Sequence, residues 1–280
     1  MRQHTFGPGR IALPIIGQGT WNLEQDDPAA AIAALRRGID LGMTHVDTAE
    51  MYGGGAVETL VGQAIAGRRE ELFLVSKVLP ENASRAGTVA ACRRSLKRLG
   101  TDRLDLYLLH WPSRHPLEET VAGFEELVAA GDIAAYGVSN FNANEVAIAV
   151  EVAGPGKIAC NQVCYHLGAR TIEHYVLPRC RELGVTVVGY SPFGSGVFPR
   201  SSSPGGKVLS RIAEAHGATP RQVALAFLIR GGCFAIPKAA RVAHVQDNAA
   251  AAALALGPGD LAAIDQAFPR GRSSHEVPMV

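Results

Sequence analysis

The stretch LFLVSKVLPENASRAGTVAACRRSLKRLGTDRLDLYLLH, residues 72–110, reads as strand, helix, strand. LFLVSK (72–77) and LDLYLLH (104–110) are short, mainly apolar runs, the pattern of strands covered on both faces. The segment near 84–99 between them is helical in character. Two strands joined by a crossover helix pair in parallel.

Working outward, the same unit recurs along the chain. Six further strands are expected at IIGQGTW (15–21), THVDTA (44–49), AAYGVSN (134–140), IACNQ (158–162), VTVVGYS (185–191) and CFAIPK (233–238). Each is followed by a helix. In the first, Asp27 can cap, Pro28 can take the opening position and Gly42 can end the helix. In the second, Val57, Leu60, Val61, Ala64 and Ile65 share one face. Further helices are expected in PLEETVAGFEELVAAG (116–131), closed by Gly131, and near 143–153, 171–183, 207–216, 220–230, 242–255 and 259–267. Eight such units close into a barrel. The rival is an open doubly wound sheet, which usually carries GxGxxG after its first strand. Neither that motif nor GxxxxGK[ST] occurs. The expectation is one (β/α)8 TIM barrel spanning residues 1–280, with a short N-terminal hairpin at FGPGRIALP (6–14) and additional C-terminal helices.

Composition excludes several partners. The 280 residues carry a net charge of +1, with 47% apolar and 19% charged. There is no dense cationic stripe for nucleic acid. The longest apolar run, AAAAALAL from Ala249, falls far short of the ~20 residues that cross a bilayer. MRQHTFGPGR lacks a secretory apolar core. Five cysteines without a CxxC read as free thiols, so a cytoplasmic location is expected. Short loops and a mixed surface are compatible with a monomer, which is the expectation.

Barrel chemistry sits at the C-terminal ends of the strands. The polar residues at those ends are Asp47, Lys77, His110, Ser139 with Asn140, Gln162, Tyr190 and Lys238. Tyr52 follows in the loop after the strand that ends at Asp47. A tyrosine has a pKa of ~10, and a neighbouring ammonium lowers it by stabilising the phenolate. Lys77 can do this. Asp47 can hold Lys77 charged and in place. His110 can donate a hydrogen bond to a substrate oxygen. The four together suit carbonyl reduction, with Tyr52 delivering the proton. A metal-dependent hydrolase would want several His and carboxylate ligands on strand ends. Only His110 and Asp47 qualify, so no metal is expected. His45 is expected to face the barrel interior beneath Asp47.

HVDTAEMY, VSK, LYLLHWP, YGVSNF, NQVCYH, GYSPFGSG and AIPKA, in this order, resemble the aldo-keto reductase superfamily. The resemblance runs from about Gly17 to Asp265. It is most like the short bacterial aldehyde and methylglyoxal reductases. It implies the same four catalytic residues and an NADPH lying across the mouth, with NADH a weaker cofactor. It further implies that Ser139, Asn140 and Gln162 hold the nicotinamide carboxamide and that Tyr190 stacks on the ring. Ser191, Phe193, Gly194 and Ser195 would border the pyrophosphate. Lys238 would meet the 2′-phosphate and Asn248 the adenine.

The chain departs from the family pattern in three places. Ala239 and His244 stand where the family often has serine and arginine, with Arg241 nearby to compensate. Tyr52 is followed by Gly53, Gly54 and Gly55, which implies a pliable loop. The tail after Arg272 is short, which implies an open mouth and broad specificity. Trp21, Met51, Trp111 and Phe141 adjoin strand ends and are expected to rim a pocket for a small aldehyde. The alternative in another class is a cofactor-binding regulatory barrel with little turnover. Such a sensor would have no need of all four catalytic residues.

Overall fold

The computed structural model describes residues 1–279. Two antiparallel strands, β1 (Gln3–Phe6) and β2 (Ile11–Pro14), form the N-terminal hairpin. It begins earlier than the apolar pattern indicates, because the exposed, polar Gln3–Thr5 segment supplies the first strand. Eight parallel strands follow: β3 (Gln18–Gly19), β4 (His45–Asp47), β5 (Phe73–Val78), β6 (Leu104–Leu109), β7 (Ile133–Ser139), β8 (Ile158–Cys164), β9 (Thr186–Tyr190) and β10 (Phe234–Ile236). They neighbour one another in chain order. The ring closes between first and last, where Ala235 N donates to Ile15 O at 3.0 Å and Gly17 N donates to Ala235 O at 2.8 Å. Parallel bridges at Ile16–Ala235 and Gly19–Lys238 complete the seam. A β-carbon at Gly19 would lie 2.5 Å from Ile236 O, so the seam needs glycine there.

Several helices begin or end for an identifiable local reason. In α1 (Pro28–Asp40) the Asp27 side chain accepts from Ala30 N at 2.8 Å, and Pro28 fills the first position. In α2 (Ala56–Ile65), Val57, Leu60, Val61, Ala64 and Ile65 are all buried, the face that the 3.6-residue period selects. Ser84 caps α3 (Arg85–Leu99), and Gly100 ends it at φ +64°. α4 (Leu117–Ala130) ends in the same way at Gly131. α5 (Ala143–Ala153) opens on a reciprocal Asn142–Glu145 capping box. The helix expected near 171–183 is divided. A 3-10 turn at Thr171–Glu173 precedes α6 (Val176–Glu182), because Tyr175 leaves helical geometry at φ −130°. α7 (Pro204–Ala215) and α8 (Pro220–Leu228) both follow β9. α9 (Val242–Ala250) follows β10, and α10 (Pro258–Ala267) is the additional C-terminal helix.

The strands divide the core by parity, since successive side chains point to opposite faces. Val75, Leu106 and Leu108 belong to the inner cluster with Phe6, Phe234 and Ile236. Val46, Leu74, Val78, Tyr107 and Leu109 belong to the outer cluster beneath the helices. Phe6 plugs the bottom against His45, Phe73 and Phe234, with edge-on ring centroids 5.2–6.1 Å apart. His45 therefore lies inside the barrel, as expected.

Candidate active site

Continuing the inward parity upward, His45 leads to Asp47, Val75 to Lys77, and Leu106 and Leu108 to His110. The three side chains meet at the top of the barrel, all buried. Lys77 Nζ donates to Asp47 Oδ1 at 2.6 Å, to Thr48 O at 2.8 Å and to Tyr52 OH at 3.2 Å. An ammonium has three protons, and these three acceptors use them all. The phenolic oxygen thus accepts from Lys77, and its own hydrogen points elsewhere. Tyr52 lines the open cavity, as do Asp47 and His110.

Gln162 Nε2 donates to the second carboxylate oxygen of Asp47 at 2.7 Å. The ion pair is thereby fixed from the far side of the barrel. Burial alone would lower the Lys77 pKa, but Asp47 and Tyr52 outweigh it, and the net direction is up. The ammonium persists.

For Tyr52 the balance differs from the sequence expectation. Burial raises its pKa, Lys77 lowers it, and the net direction is up from 10.0. Lys77 offsets the desolvation of the phenolate but does not bring Tyr52 to titrate near neutrality. The consequence is a phenol that stays protonated. An alkoxide is about as basic as hydroxide, whose conjugate acid water has a pKa of ~15.7, so a phenol above 10 can still protonate it.

His110 lies with its ring centroid 5.8 Å from that of Tyr52, edge to face. Burial, then Lys77, lowers its pKa to about 2, so the ring is neutral. Its Nδ1 is buried without a partner. Orphaned N–H groups are rarer than unused acceptors, so the proton belongs on Nε2, which is left for the cavity.

Around this centre runs a polar ring. Ser139 Oγ donates to Gln162 O at 2.8 Å, Asn140 Nδ2 donates to His110 O at 3.0 Å, and Tyr190 OH donates to Asn140 Oδ1 at 2.9 Å. Asn140 and Ser191 adopt left-handed φ values of 61° and 49°, a strain tolerated where geometry matters.

The mouth cavity measures about 700 Å³ counted out to solvent. Ser139, Asn140, Gln162, Tyr190 and Ser191 line it on one side, and Trp21, Met51 and Trp111 on another. Phe141 does not rim it: the left-handed turn at Asn140 breaks the strand parity, and Phe141 is buried in the outer core. A second groove of about 1530 Å³ holds Phe193, Lys238, His244 and Asn248. Lys238 lines both spaces, so the two lie side by side. Gly194 and Ser195 form the turn between, at φ 74° and 47°, and line neither space. Arg241 lies before α9 in extended conformation, and its side chain does not line the groove.

A model of the aldo/keto reductase family matches residues 15–268. The chain belongs to this family. The reductase is 45% identical over 275 residues to methylglyoxal reductase YeaE of Escherichia coli strain K12, with 97% of each chain covered. It superposes on an aldo/keto reductase of Klebsiella pneumoniae, solved in complex with NADP and acetate, with a TM-score of 0.93, 42% identity and 99% of each chain covered. A second structure of an aldo-keto reductase from Klebsiella pneumoniae, in complex with NADPH, gives a TM-score of 0.92 at 42% identity over the whole of both chains.

Several residues of the reductase's cleft gave no sequence signal. Arg221 lies over the rings of Phe193 and Phe198, 5.6 and 4.7 Å from their centroids. The three form an apolar, cationic platform in the second groove. Arg221 follows Pro220 at the opening of α8, a position that reads as helix start alone. Lys238 Nζ is paired with Asp26, a residue distant in sequence. Met279 lines the mouth cavity. The tail therefore returns to the rim of the site, where Met279 stays exposed. His275 stacks on Tyr175 at 4.0 Å, and Ser273 Oγ donates to Tyr175 OH at 2.8 Å, which routes the chain there. The Gly53–Gly55 loop is a defined turn with φ of 56°, 60° and 95°, which glycine alone adopts easily. All five cysteines are free and buried. Among the described residues no cluster of His, Cys, Asp and Glu could hold a metal, and no helix is long and apolar enough to cross a membrane.

Proposed function

We propose that the chain reduces small aldehydes and dicarbonyls, methylglyoxal and aromatic aldehydes among them, to alcohols at the expense of NADPH, with Tyr52 as proton donor. The observation that carries this is the saturated Lys77 ammonium 3.2 Å from the Tyr52 hydroxyl, which turns the phenolic hydrogen away from Lys77. The similarity to a methylglyoxal reductase supports the substrate class, and the similarity to NADP-bound structures supports the cofactor.

The cleft fits an extended dinucleotide. One end offers the amide and hydroxyl groups of Ser139, Asn140 and Gln162 beside the Tyr190 ring, which suits a carboxamide-bearing heterocycle. Gln162 Nε2 is committed to Asp47, so its carbonyl oxygen is the atom left for that contact. The other end offers the Phe193–Arg221–Phe198 platform, Lys238, and the His244 and Asn248 side chains one helical turn apart. Bound there, the cofactor supplies a hydride to the carbonyl carbon.

The chain's own residues do the rest. Trp21, Met51, Trp111 and Met279 exclude water and hold the apolar part of the substrate. His110 Nε2–H orients the carbonyl oxygen. As negative charge develops on that oxygen, Tyr52 gives up its proton to it. Lys77 stabilises the resulting phenolate, and Asp47 with Gln162 keeps Lys77 from moving. Among the described residues the cavity lining has no lysine or arginine apart from Lys238, itself paired with Asp26, so neutral carbonyls suit it better than carboxylate-bearing ones.

The test is NADPH consumption with methylglyoxal, a nitrobenzaldehyde and a panel of neutral and anionic carbonyls. Saturable, substrate-dependent loss with the neutral compounds is expected. No loss across the panel would end the proposal. A sensor reading predicts oxidation of bound cofactor once, without repeated turnover.

A further inference from the structure

We infer that the ion pair between buried Glu58 and half-buried Arg98 is a positioning device that sets the Tyr52 hydroxyl against Lys77, an inference that rests on the reading of Tyr52 as the acid. The two reacting partners come from different segments. Lys77 sits on β5, while Tyr52 sits in the loop after β4. Backbone pairing between these segments ends at a long 3.5 Å contact from Glu50 N to Lys77 O. Beyond Tyr52 come three left-handed glycines, which offer no side chain of their own to brace the turn.

Glu58 supplies what the backbone lacks. It lies in the first turn of α2 and has no solvent exposure. One carboxylate oxygen accepts from Ser76 Oγ at 2.6 Å, and the other accepts from Arg98 Nε at 2.6 Å. Ser76 immediately precedes Lys77, and by strand parity it faces outward while Lys77 faces in. The Glu58–Ser76 bond therefore ties the helix after Tyr52 to the residue beside Lys77. Arg98, from α3, closes the third side. A β-carbon at Gly55 would lie 2.6 Å from both Cδ and Nε of Arg98, so its side chain lies directly against the glycine turn. Arg98 is itself steadied by a 3.1 Å bond to Ser95 Oγ on the same helix.

An apolar pair in such a place would often stabilise the fold as well or better. What the ion pair adds is direction: it joins β5, α2 and α3 at fixed angles around the Tyr52 loop. Arg98 and Glu58 line neither the mouth cavity nor the second groove, so they act through the placement of Tyr52 against Lys77.

The test compares wild type, Tyr52→Phe, Arg98→Leu, the double variant Glu58→Gln/Arg98→Leu, and that double variant combined with Tyr52→Phe. The single Arg98 variant leaves a buried carboxylate unpaired, and loss of stability is expected. The double variant leaves no charge behind and keeps a partner for Ser76, so its unfolding midpoint should recover. Its kcat should nevertheless stay down by about 10–10²-fold, the scale of a small misplacement at the reacting atoms. The carbonyl KM, and the NADPH Kd from fluorescence quenching, should stay within about twofold of wild type. On the Tyr52→Phe background the double change should cost nothing further. Wild-type kcat in the double variant would overturn the inference. So would an equal fall in NADPH affinity, or a further loss on the Tyr52→Phe background. If Tyr52→Phe itself turns over normally, the reading of Tyr52 falls instead.

Discussion

At the scale of single residues, the chemistry rests on how many partners each group has. Lys77 has three protons and three acceptors, and Asp47 has two oxygens each taken by a fixed donor. His110 is held neutral by burial, with a pKa of about 2. The kcat/KM profile should therefore show no step from His110 between about pH 4 and 9, and an ionisation near the ordinary imidazole value of ~6.5 that His110→Asn abolishes would contradict this. Asp26 occupies the amine of Lys238. Asp26→Asn should tighten NADPH severalfold in a fluorescence titration and change NADH much less. Equal changes for both cofactors would separate Lys238 from the 2′-phosphate.

Asp47, Lys77 and His110 were legible because each ends an apolar run and so inherits its parity. Phe141 was misread because Asn140 turns left-handed between it and the strand, and no residue pattern announces that turn. The i, i+4 pair that shares one face of α9 is His244 and Asn248. The direction of the Tyr52 shift depends on burial, which the sequence does not display.

At the scale of elements, all eight barrel strands and nearly all the helices follow from apolar periodicity and capping residues. Ser–Pro and Thr–Pro pairs mark where α7 and α8 begin, although α7 starts at Pro204, ahead of its apolar period. The tail was not legible. SSHEVPMV has neither period, and its course depends on a tertiary stack between His275 and Tyr175. Removing residues 275–280 should raise the KM for small neutral aldehydes by up to about tenfold, the worth of one apolar wall contact. NADPH affinity should not change. An unaltered KM across the carbonyl panel would show that Met279 forms no working wall.

At the scale of the whole molecule, the barrel stacks two buried histidines on one axis, one beneath the catalytic centre and one within it. Burial lowers the pKa of His45 to about 4, against partly compensating attraction from Asp47. Folded His45 and His110 stay neutral where the unfolded chain, with imidazoles near ~6.5, takes up protons. Stability is thus fully present above about pH 6.5 and falls as pH drops towards 4, by roughly 1.4 kcal/mol per pH unit for each group. His45→Leu should halve the slope from this pair in denaturant titrations between about pH 6 and 4.5. An unchanged slope would mean that His45 is protonated in the folded barrel. The leucine would sit among Phe6, Phe73 and Phe234, so the fold has no polar contact to lose there.

The account turns on Tyr52 giving its proton to the nascent alkoxide beside Lys77. The measurement that tests this most directly is the single-turnover rate of NADPH oxidation by methylglyoxal in Tyr52→Phe, with the NADPH Kd determined on the same protein. The rate should fall by about 10²–10⁴-fold, the usual contribution of a positioned acid, while the Kd holds. A rate equal to wild type, with cofactor bound normally, would contradict it.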